Sequence, residues 1–243
     1  MARRTKEEAL ATRNRILDIA ERVFSERGVA RTSLDDIAQA AGFTRGAIYW
    51  HFQNKADLFS AMLARVTLPL EDAVARMADD DRTDPLASVK HCLLTALLKT
   101  ATDPQCQRVF EVVCHKCEYV DEMTVVRDRY VEMRGRCLDG IERGLRNAVR
   151  RGALLPTVNP RLAAVGLHAL VDGLISNWLI DPRYFALARD AERLVDLHLA
   201  GLRQSGSARK AAPPRRAPGA GTRAARRPAR LSARAAATRR SIR

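Results

Sequence analysis

The stretch SLDDIAQAAGFTRGAIYWHFQNK, residues 33–55, has the spacing of two short helices that cross at a tight turn. Ala38 is small enough for the second helix to approach the first, and Gly42 allows a turn with positive φ. Ile48 supplies a branched apolar side chain that fills the seam between the helices. The spacing therefore predicts a helix-turn-helix whose second helix covers residues 44–51.

The second helix carries side chains that suit a partner better than a core. Thr44 is a good N-cap, because its hydroxyl accepts from free N–H groups of the first turn. Arg45 adds hydrogen-bond donors, and three aromatic rings follow on the same short helix. Such a helix is usually placed in the major groove of DNA. An ordinary helical hairpin is the alternative that the spacing alone leaves open.

We expect a defined set of residues to meet DNA. Arg45 is expected to read base edges, with guanine as its commonest partner, and Trp50 to buttress its neighbours. Thr44, Tyr49, His51 and Lys55 are expected to fix the DNA backbone, with Lys55 and the first turn of the next helix near a phosphate. The full expected set is Thr32, Ser33, Thr44, Arg45, Gly46, Tyr49, Trp50, His51 and Lys55.

The rest of the chain to residue 204 predicts helices only, since no segment alternates with period two. Thr32 or Ser33 is expected to cap the first helix of the motif, and Asn54 the helix after it. Pro69 predicts a kink or an early end in that helix. We predict an all-α fold of about nine helices. Gly28 is the expected C-cap of the first helix, at about 6–27. The other helices outside the motif are expected from 54 onward and at about 85–102, 104–119, 122–151, 160–180 and 187–202.

The net charge of +14 is unevenly distributed. Residues 205–243 hold 12 Arg or Lys and no acidic residue, which leaves +2 for residues 1–204. This tail is rich in Arg, Ala, Pro and Gly, and it is predicted to be disordered because it cannot bury enough apolar surface. It could add salt-sensitive phosphate contacts, or it could be an inert extension. Residues 66–204 are nearly neutral and need another function.

The five cysteines are an odd set with no secretory signal before them, which favours free thiols in a reducing cytoplasm. No uninterrupted apolar stretch is long enough for a membrane span. The string 114–117 (CHKC) with His91 and Cys92 suggests zinc, but helical placement disfavours it, and redox sensing by these thiols is a second minor alternative. No G-x-S-x-G, phosphate loop or H-E-x-x-H is present, so we expect no enzyme, cofactor or metal.

The segment TSLDDIAQAAGFTRGAIYWHFQNKADLF resembles the DNA-binding signature of TetR/AcrR-type transcriptional regulators, and the opening ARRTKEEALATRNRILDIAERVFSERGVARTS is similar to their first helix. EVVCHKCEY at 111–119, with residues 122–123, 172–174 and 178–179, resembles the AcrR/TtgR-like branch, which represses multidrug efflux-pump operons. The resemblance covers about residues 2–203 and leaves the tail unmatched.

This resemblance implies a homodimer with a DNA-binding domain at 1–55 and a ligand-binding and dimerisation domain at 56–204. The last two helices would form the dimer interface, where Gly166 and Gly173 would allow close approach. Two recognition helices related by a two-fold axis imply a palindromic operator in double-stranded DNA.

The resemblance also implies a largely apolar cavity for a small-molecule inducer. Asp172 is a lone carboxylate among apolar neighbours and needs either a cationic ligand or a protein partner. His168, one turn away, could be that partner, and both alternatives stay open. Phe110 and Cys114 make the expected cavity more apolar than in relatives. The expected lining is Val66, Val89, Leu93, Ala96, Phe110, Cys114, Cys137, Ile141, His168, Val171, Asp172, Ile175 and Ser176.

These observations predict a cytoplasmic, dimeric repressor of a multidrug efflux operon that an aromatic or cationic compound releases from DNA. A regulator of the same type on another, metabolic operon is the main alternative. The basic tail raises a nucleoid-associated DNA-binding protein as a further class, and the cysteines raise a thiol sensor. The helix that begins at 54 is expected to transmit ligand binding to the DNA-binding part, with Pro69 as the point where it bends.

Overall fold

The computed structural model describes residues 6–79 and 84–204, and within them all regular structure is helical. The basic tail, with its expected disorder and possible phosphate contacts, lies outside these residues. Nine α-helices are found in the described residues: α1 Lys6–Arg27, α2 Leu34–Ala41, α3 Arg45–His51, α4 Lys55–Asp79, α5 Pro85–Thr102, α6 Pro104–Glu111, α7 Thr124–Arg150, α8 Pro160–Ile180 and α9 Leu187–Gln204. The all-α prediction is confirmed.

Local capping signals fix the ends of the helices around the turn. Ser33, not Thr32, caps α2: the Asp36 N–H donates to the Ser33 hydroxyl at 3.1 Å, and the Ser33 N–H donates to the Asp36 carboxylate at 2.8 Å. Thr32 instead donates its hydroxyl to the carbonyl of Gly28 at 2.8 Å. Gly42 has φ +69° and ends α2, as its position predicted. Asn54 caps α4 by accepting from the Asp57 N–H at 2.8 Å.

Helix α4 runs without a break from the turn into the larger part of the chain. Pro69 lies inside it, and the helix continues to Asp79, so the early end that proline allowed is wrong. The helix continues for ten residues after Pro69. Proline removes one backbone hydrogen bond, and the packing of α4 on α7 compensates for this loss. A single helix therefore joins the helix-turn-helix to the larger part of the chain.

The predicted helix over 104–119 is wrong after its second turn. Helix α6 ends at Glu111 and passes into a π-helical turn, Val112–Lys116, after which residues 117–120 are not helical. The Lys116 carbonyl accepts from the Val29 N–H at 2.9 Å, a contact across the fold that holds the chain away from a helical path. A 3₁₀ turn, Asp121–Met123, then leads into α7.

Two apolar clusters form the core. The first contains residues of α1, α2, α3, the first half of α4, α6, the π-helical turn and the start of α7. Phe24, Phe59 and Ile48 are among its buried members. The second lies among α5, α7, α8 and α9. Helix α8 is long and apolar enough by length and composition to cross a membrane, but it also carries His168, Asp172 and Asn177.

Candidate functional site

Helix α3 is anchored on one face and exposed on the other. Ile48 is fully buried, and the Thr44 hydroxyl accepts from the Ala47 N–H at 3.2 Å as the N-cap. Trp50 is 71% exposed and Tyr49 is exposed as well. The cap and the buried isoleucine therefore fix a short helix whose outer face offers an indole, a phenol and a guanidinium to a partner.

Arg45 lies on this outer face and is held by two neighbours. Its Nε is 3.3 Å from the Asp35 carboxylate on α2, and its guanidinium lies 5.4 Å from the centre of the Tyr49 ring. The exposed pair with Asp35 is weak and gives way easily. Gly46 beside it is open, with no atom within 4 Å of the position that a Cβ would take. The guanidinium is thus oriented yet available.

The aromatic side chains behind Arg45 support one another. The Trp50 ring meets the His51 ring edge-on, with their centres 4.5 Å apart. His51 is half-buried and lies beside Phe52, whose side chain belongs to the core. Trp50 is thus braced from one side by His51, while its other surface is exposed.

Thr32 and Lys55 are the two expected DNA contacts that do not face solvent. Thr32 is buried, and its hydroxyl is used within the turn after α1. The Lys55 side chain is only 13% exposed; its ammonium donates to the Val29 carbonyl at 3.1 Å and pairs with Glu122 at 3.0 Å. Ser33 is exposed, but its hydroxyl is used in capping α2.

A groove of about 430 Å³ lies beside α3 and collects these residues. Its walls come from the turn before α2, the end of α3, the start of α4 and one residue of the larger part of the chain, Glu122. The lining is Ala30, Arg31, Thr32, Ser33, Leu34, Asp36, Tyr49, Gln53, Asn54, Lys55 and Glu122. The groove touches the exposed face of α3 at Tyr49.

A second cavity, of about 350 Å³, lies among α4, α5, α6, α7 and α8. Most of its surface is aliphatic or aromatic, with a few polar side chains, which is the usual makeup of a small-molecule site. It is lined by Thr67, Leu70, Glu71, Val74, Cys92, Leu93, Ala96, Phe110, Cys114, Tyr130, Met133, Cys137, Ile141, His168, Val171, Asp172, Ile175 and Ser176.

Eleven of the thirteen positions expected to line a cavity come together here. The other two do not: Val66 packs in the first apolar cluster, and Val89 is buried in the second. The cavity residues that the sequence did not predict are Thr67, Leu70, Glu71 and Val74 on α4, Cys92 on α5, and Tyr130 and Met133 on α7. Leu70 and Val74 continue the apolar face of α4 at helical spacing, and that periodicity could have found them. Tyr130 and Met133 carry no such signal in a mostly polar helix.

The polar groups of the cavity carry negative charge. His168 Nδ1 lies 3.2 Å from the Asp172 carboxylate, so the internal pair is formed, yet Asp172 is still half-exposed toward the cavity. Glu71 contributes a second carboxylate and pairs with Arg136 at 2.9 Å. The apolar wall suits the body of an aromatic compound, and the two carboxylates disfavour anions.

Three thiols, of Cys92, Cys114 and Cys137, also line the cavity. Burial raises the pKa of Cys92 to about 12, and desolvation raises those of Cys114 and Cys137 to about 11. These thiols are neutral at physiological pH and therefore poor nucleophiles. Among the described residues, no three His, Cys, Asp or Glu side chains are grouped closely enough to hold a metal ion.

A third surface, on α8 and α9, exposes apolar side chains. Leu162, Ile180 and Leu197 are 70%, 69% and 64% exposed. Gly166 and Gly173 on α8 have no atom of the described chain within 4 Å of the place that a Cβ would take. Exposed apolar faces of this kind mark interaction surfaces.

A helix-turn-helix at the end of a helical chain, joined by one long helix to an apolar cavity, defines a ligand-responsive DNA-binding regulator. Residues 16–62 match the model of the tetR family of bacterial regulatory proteins, and residues 84–204 match the C-terminal region of MAATS-type transcriptional repressors. The chain belongs to the TetR family of transcriptional regulators.

Its relatives include regulators of drug efflux. It is 45% identical to the HTH-type transcriptional regulator TtgR of Pseudomonas putida over 211 residues, which are 86% of this chain and all of TtgR. The crystal structure of NalD, the secondary repressor of the MexAB-OprM multidrug efflux pump in Pseudomonas aeruginosa, matches with a TM-score of 0.75 at 39% identity and covers 82% of this chain and 99% of NalD. A SmeT–triclosan complex matches with a TM-score of 0.72 at 34% identity over 79% and 91% of the two chains.

Proposed function

We propose that this protein represses a multidrug efflux operon and leaves its operator when a small aromatic or cationic compound fills the cavity. The observation that carries the proposal is the coexistence of an exposed, capped α3 and an apolar cavity with two carboxylates, joined by α4. The efflux repressors among its relatives support the choice of operon.

On the DNA side, Arg45 reads base edges and the surrounding residues of α3 hold the backbone. Arg45 is 72% exposed and oriented by Tyr49, so a bidentate contact with guanine costs little reorganisation. Thr44, Tyr49 and His51 contact phosphates or sugars, and Trp50 supports them. Residues 1–55 serve as the DNA-binding domain and residues 56–204 as the ligand-binding and dimerisation domain.

On the ligand side, Asp172 gives the cavity its preference for cations, with His168 as its partner when no ligand is bound. The aliphatic walls of α5 and α8, with Phe110, bind the apolar body of the compound. Triclosan, present in the SmeT complex, is a suitable neutral aromatic probe. Tetraphenylphosphonium is a suitable aromatic cation.

The protein acts as a homodimer in the cytoplasm. The exposed apolar faces of α8 and α9 provide the dimer contact, and the open glycines of α8 allow a second copy to approach closely. The two recognition helices then lie about one DNA turn apart, or a multiple of it, so the operator is a palindrome.

Footprinting tests this function. Purified full-length protein is incubated with DNA from upstream of its own gene and of adjacent pump genes, with and without triclosan or tetraphenylphosphonium. A protected palindrome that loses protection with either compound is expected. Protection of no particular sequence at any salt concentration would contradict the proposal and favour a nucleoid-type role.

A further inference from the structure

Lys55 is withheld from the face that would meet DNA. A lysine has three N–H donors, and here two are used within the protein, one on the Val29 carbonyl and one on Glu122. The ammonium lies at the edge of the 430 Å³ groove beside α3, and Glu122 lines the same groove. A carboxylate therefore occupies the donor of Lys55 that a phosphate in this groove would need.

Glu122 belongs to a segment that also forms part of the ligand cavity. We call residues 112–123 the connecting segment; it consists of the π-helical turn, residues 117–120 and the 3₁₀ turn. Cys114, within the π-helical turn, lines the cavity. His115, next to it, lies with its Nε2 3.0 Å from the carbonyl of Ser176, which lines the cavity as well. One end of the segment is therefore set by the cavity wall.

The connecting segment also bonds to the DNA-binding part at Val29. The Val29 N–H donates to the Lys116 carbonyl at 2.9 Å, and the Val29 carbonyl accepts from Lys55. Lys55 in turn reaches Glu122 at the far end of the segment. A continuous series of contacts thus runs from the cavity wall through the π-helical turn, Val29 and Lys55 to Glu122. π-Helical turns are frequent at functional sites and tolerate small changes of register.

We propose that Glu122 competes with an operator phosphate for Lys55, and that the Lys55–Glu122 pair is the mark of the released state. This rests on the proposed DNA-binding function. When DNA binds, the phosphate replaces the carboxylate on the ammonium, and the connecting segment shifts away from the groove. A ligand that stabilises the connecting segment as described here favours the pair, and DNA binding is weakened by the same free energy.

Glu122→Gln tests the proposal in the full-length protein. Removing the competing charge should tighten binding to the footprinted operator about twofold to fivefold, the range set by a partly exposed ion pair. The gain should appear at every salt concentration with an unchanged slope of log K against log salt, because Lys55 contacts a phosphate in the DNA complex of both proteins and only the competing carboxylate is removed. More triclosan should be needed for half-release. Glu118→Gln, an exposed glutamate of the same segment, is the matched control for loss of one negative charge.

A second variant separates competition from a structural tie. In a Lys55→Gln background, Glu122→Gln should have no further effect on DNA affinity, since the two residues act through one contact. Equal or weaker DNA binding by Glu122→Gln than by Glu118→Gln, with a lower melting temperature, would overturn the proposal and leave Lys55–Glu122 as a structural tie.

A random-sequence duplex keeps this test separate from the proposed function. Phosphate contacts do not depend on sequence, so Glu122→Gln should tighten binding to that duplex by about the same factor. If no operator is found but binding to the random duplex tightens, the result counts against the efflux repressor and for the competition. If an operator is found but Glu122→Gln tightens binding to neither DNA, the result counts against the competition and for the repressor.

Discussion

Helix α7 crosses α4 so closely at Gly140 that a Cβ added there would lie 2.1 Å from Cγ1 of Val74. Val74 lines the cavity, and α4 begins at Lys55, where the DNA-binding part ends. This crossing therefore sets the position of α4 relative to the cavity. The two helices can approach this closely only because residue 140 is a glycine and has no Cβ.

Gly140→Ala is expected to push α4 and α7 apart or to force Val74 from its position. Overpacking of this kind costs about 1–3 kcal/mol of unfolding free energy, which urea denaturation measures. Gly135→Ala on the same helix, where nothing lies within 4 Å, should instead stabilise by about 0.5–1 kcal/mol. If both variants are equally stable, the crossing is looser than the structure describes.

Gly140→Ala should also change the response to ligand, because the same displacement alters the cavity wall at Val74. The triclosan concentration that releases half of the operator is expected to shift at least threefold relative to Gly135→Ala. Measurement of release by fluorescence anisotropy of labelled operator checks this. An unchanged concentration would show that α4 does not transmit the signal at this crossing.

Arg45→Ala should weaken operator binding by about 1–3 kcal/mol and relax the preference at one base pair per half-site, because a bidentate guanine contact is lost. Binding to a random duplex should fall much less. Arg127→Ala removes the same charge from an exposed site on α7 and controls for net charge. Equal losses on operator and random DNA would assign Arg45 to the backbone.

Much of the DNA-binding part could be predicted from local sequence, and the contacts that control it could not. Ser33, Thr44 and Asn54 cap helices through groups within three residues, so the sequence contains the whole interaction. The pairing of Lys55 with Glu122 joins residues far apart in the chain, and nothing near either one indicates it.

The cavity shows the same limit. Its α5 and α8 walls followed from a family resemblance, whereas Tyr130 and Met133 on α7 did not. The π-helical turn was missed because residues 104–119 keep a helical pattern. The helical path is left after Lys116, whose carbonyl accepts from Val29, a partner far away in the sequence.

The cavity thiols should react slowly, and the rate should rise with pH. The pKa of Cys114 is raised to about 11, so its thiolate fraction, and the rate of alkylation by iodoacetamide, should increase about tenfold per pH unit between about 7 and 9. Mass spectrometry of wild type and Cys114→Ala identifies the residue. A rate that levels off below pH 9 would reveal a stabilised thiolate and revive the thiol-sensor hypothesis.

Glu21 makes stability depend on pH. Its side chain is buried between α1, α4 and α6, where it accepts from Gln105 at 3.0 Å and from Arg65 at 3.1 Å. Burial raises its pKa above the ordinary value despite these partners. The resulting contribution to stability is present below the unfolded pKa and is lost as pH rises through the folded pKa.

Glu21→Gln does not titrate, so its melting temperature should rise relative to that of wild type as pH increases from about 4 to about 8. Differential scanning fluorimetry at several pH values measures the difference. Glu26→Gln, an exposed glutamate of the same helix, gives the effect of removing a surface carboxylate, which is subtracted. A constant difference between Glu21→Gln and wild type would contradict the raised pKa.

Binding of a compound in the cavity and binding of the operator by α3 oppose each other. Isothermal titration of triclosan and of tetraphenylphosphonium into free protein and into the operator complex tests it directly. The compound that binds should bind the free protein at least about fivefold more tightly, and operator affinity should fall by the same factor when that compound is saturating. Equal affinity for free and operator-bound protein would contradict the account.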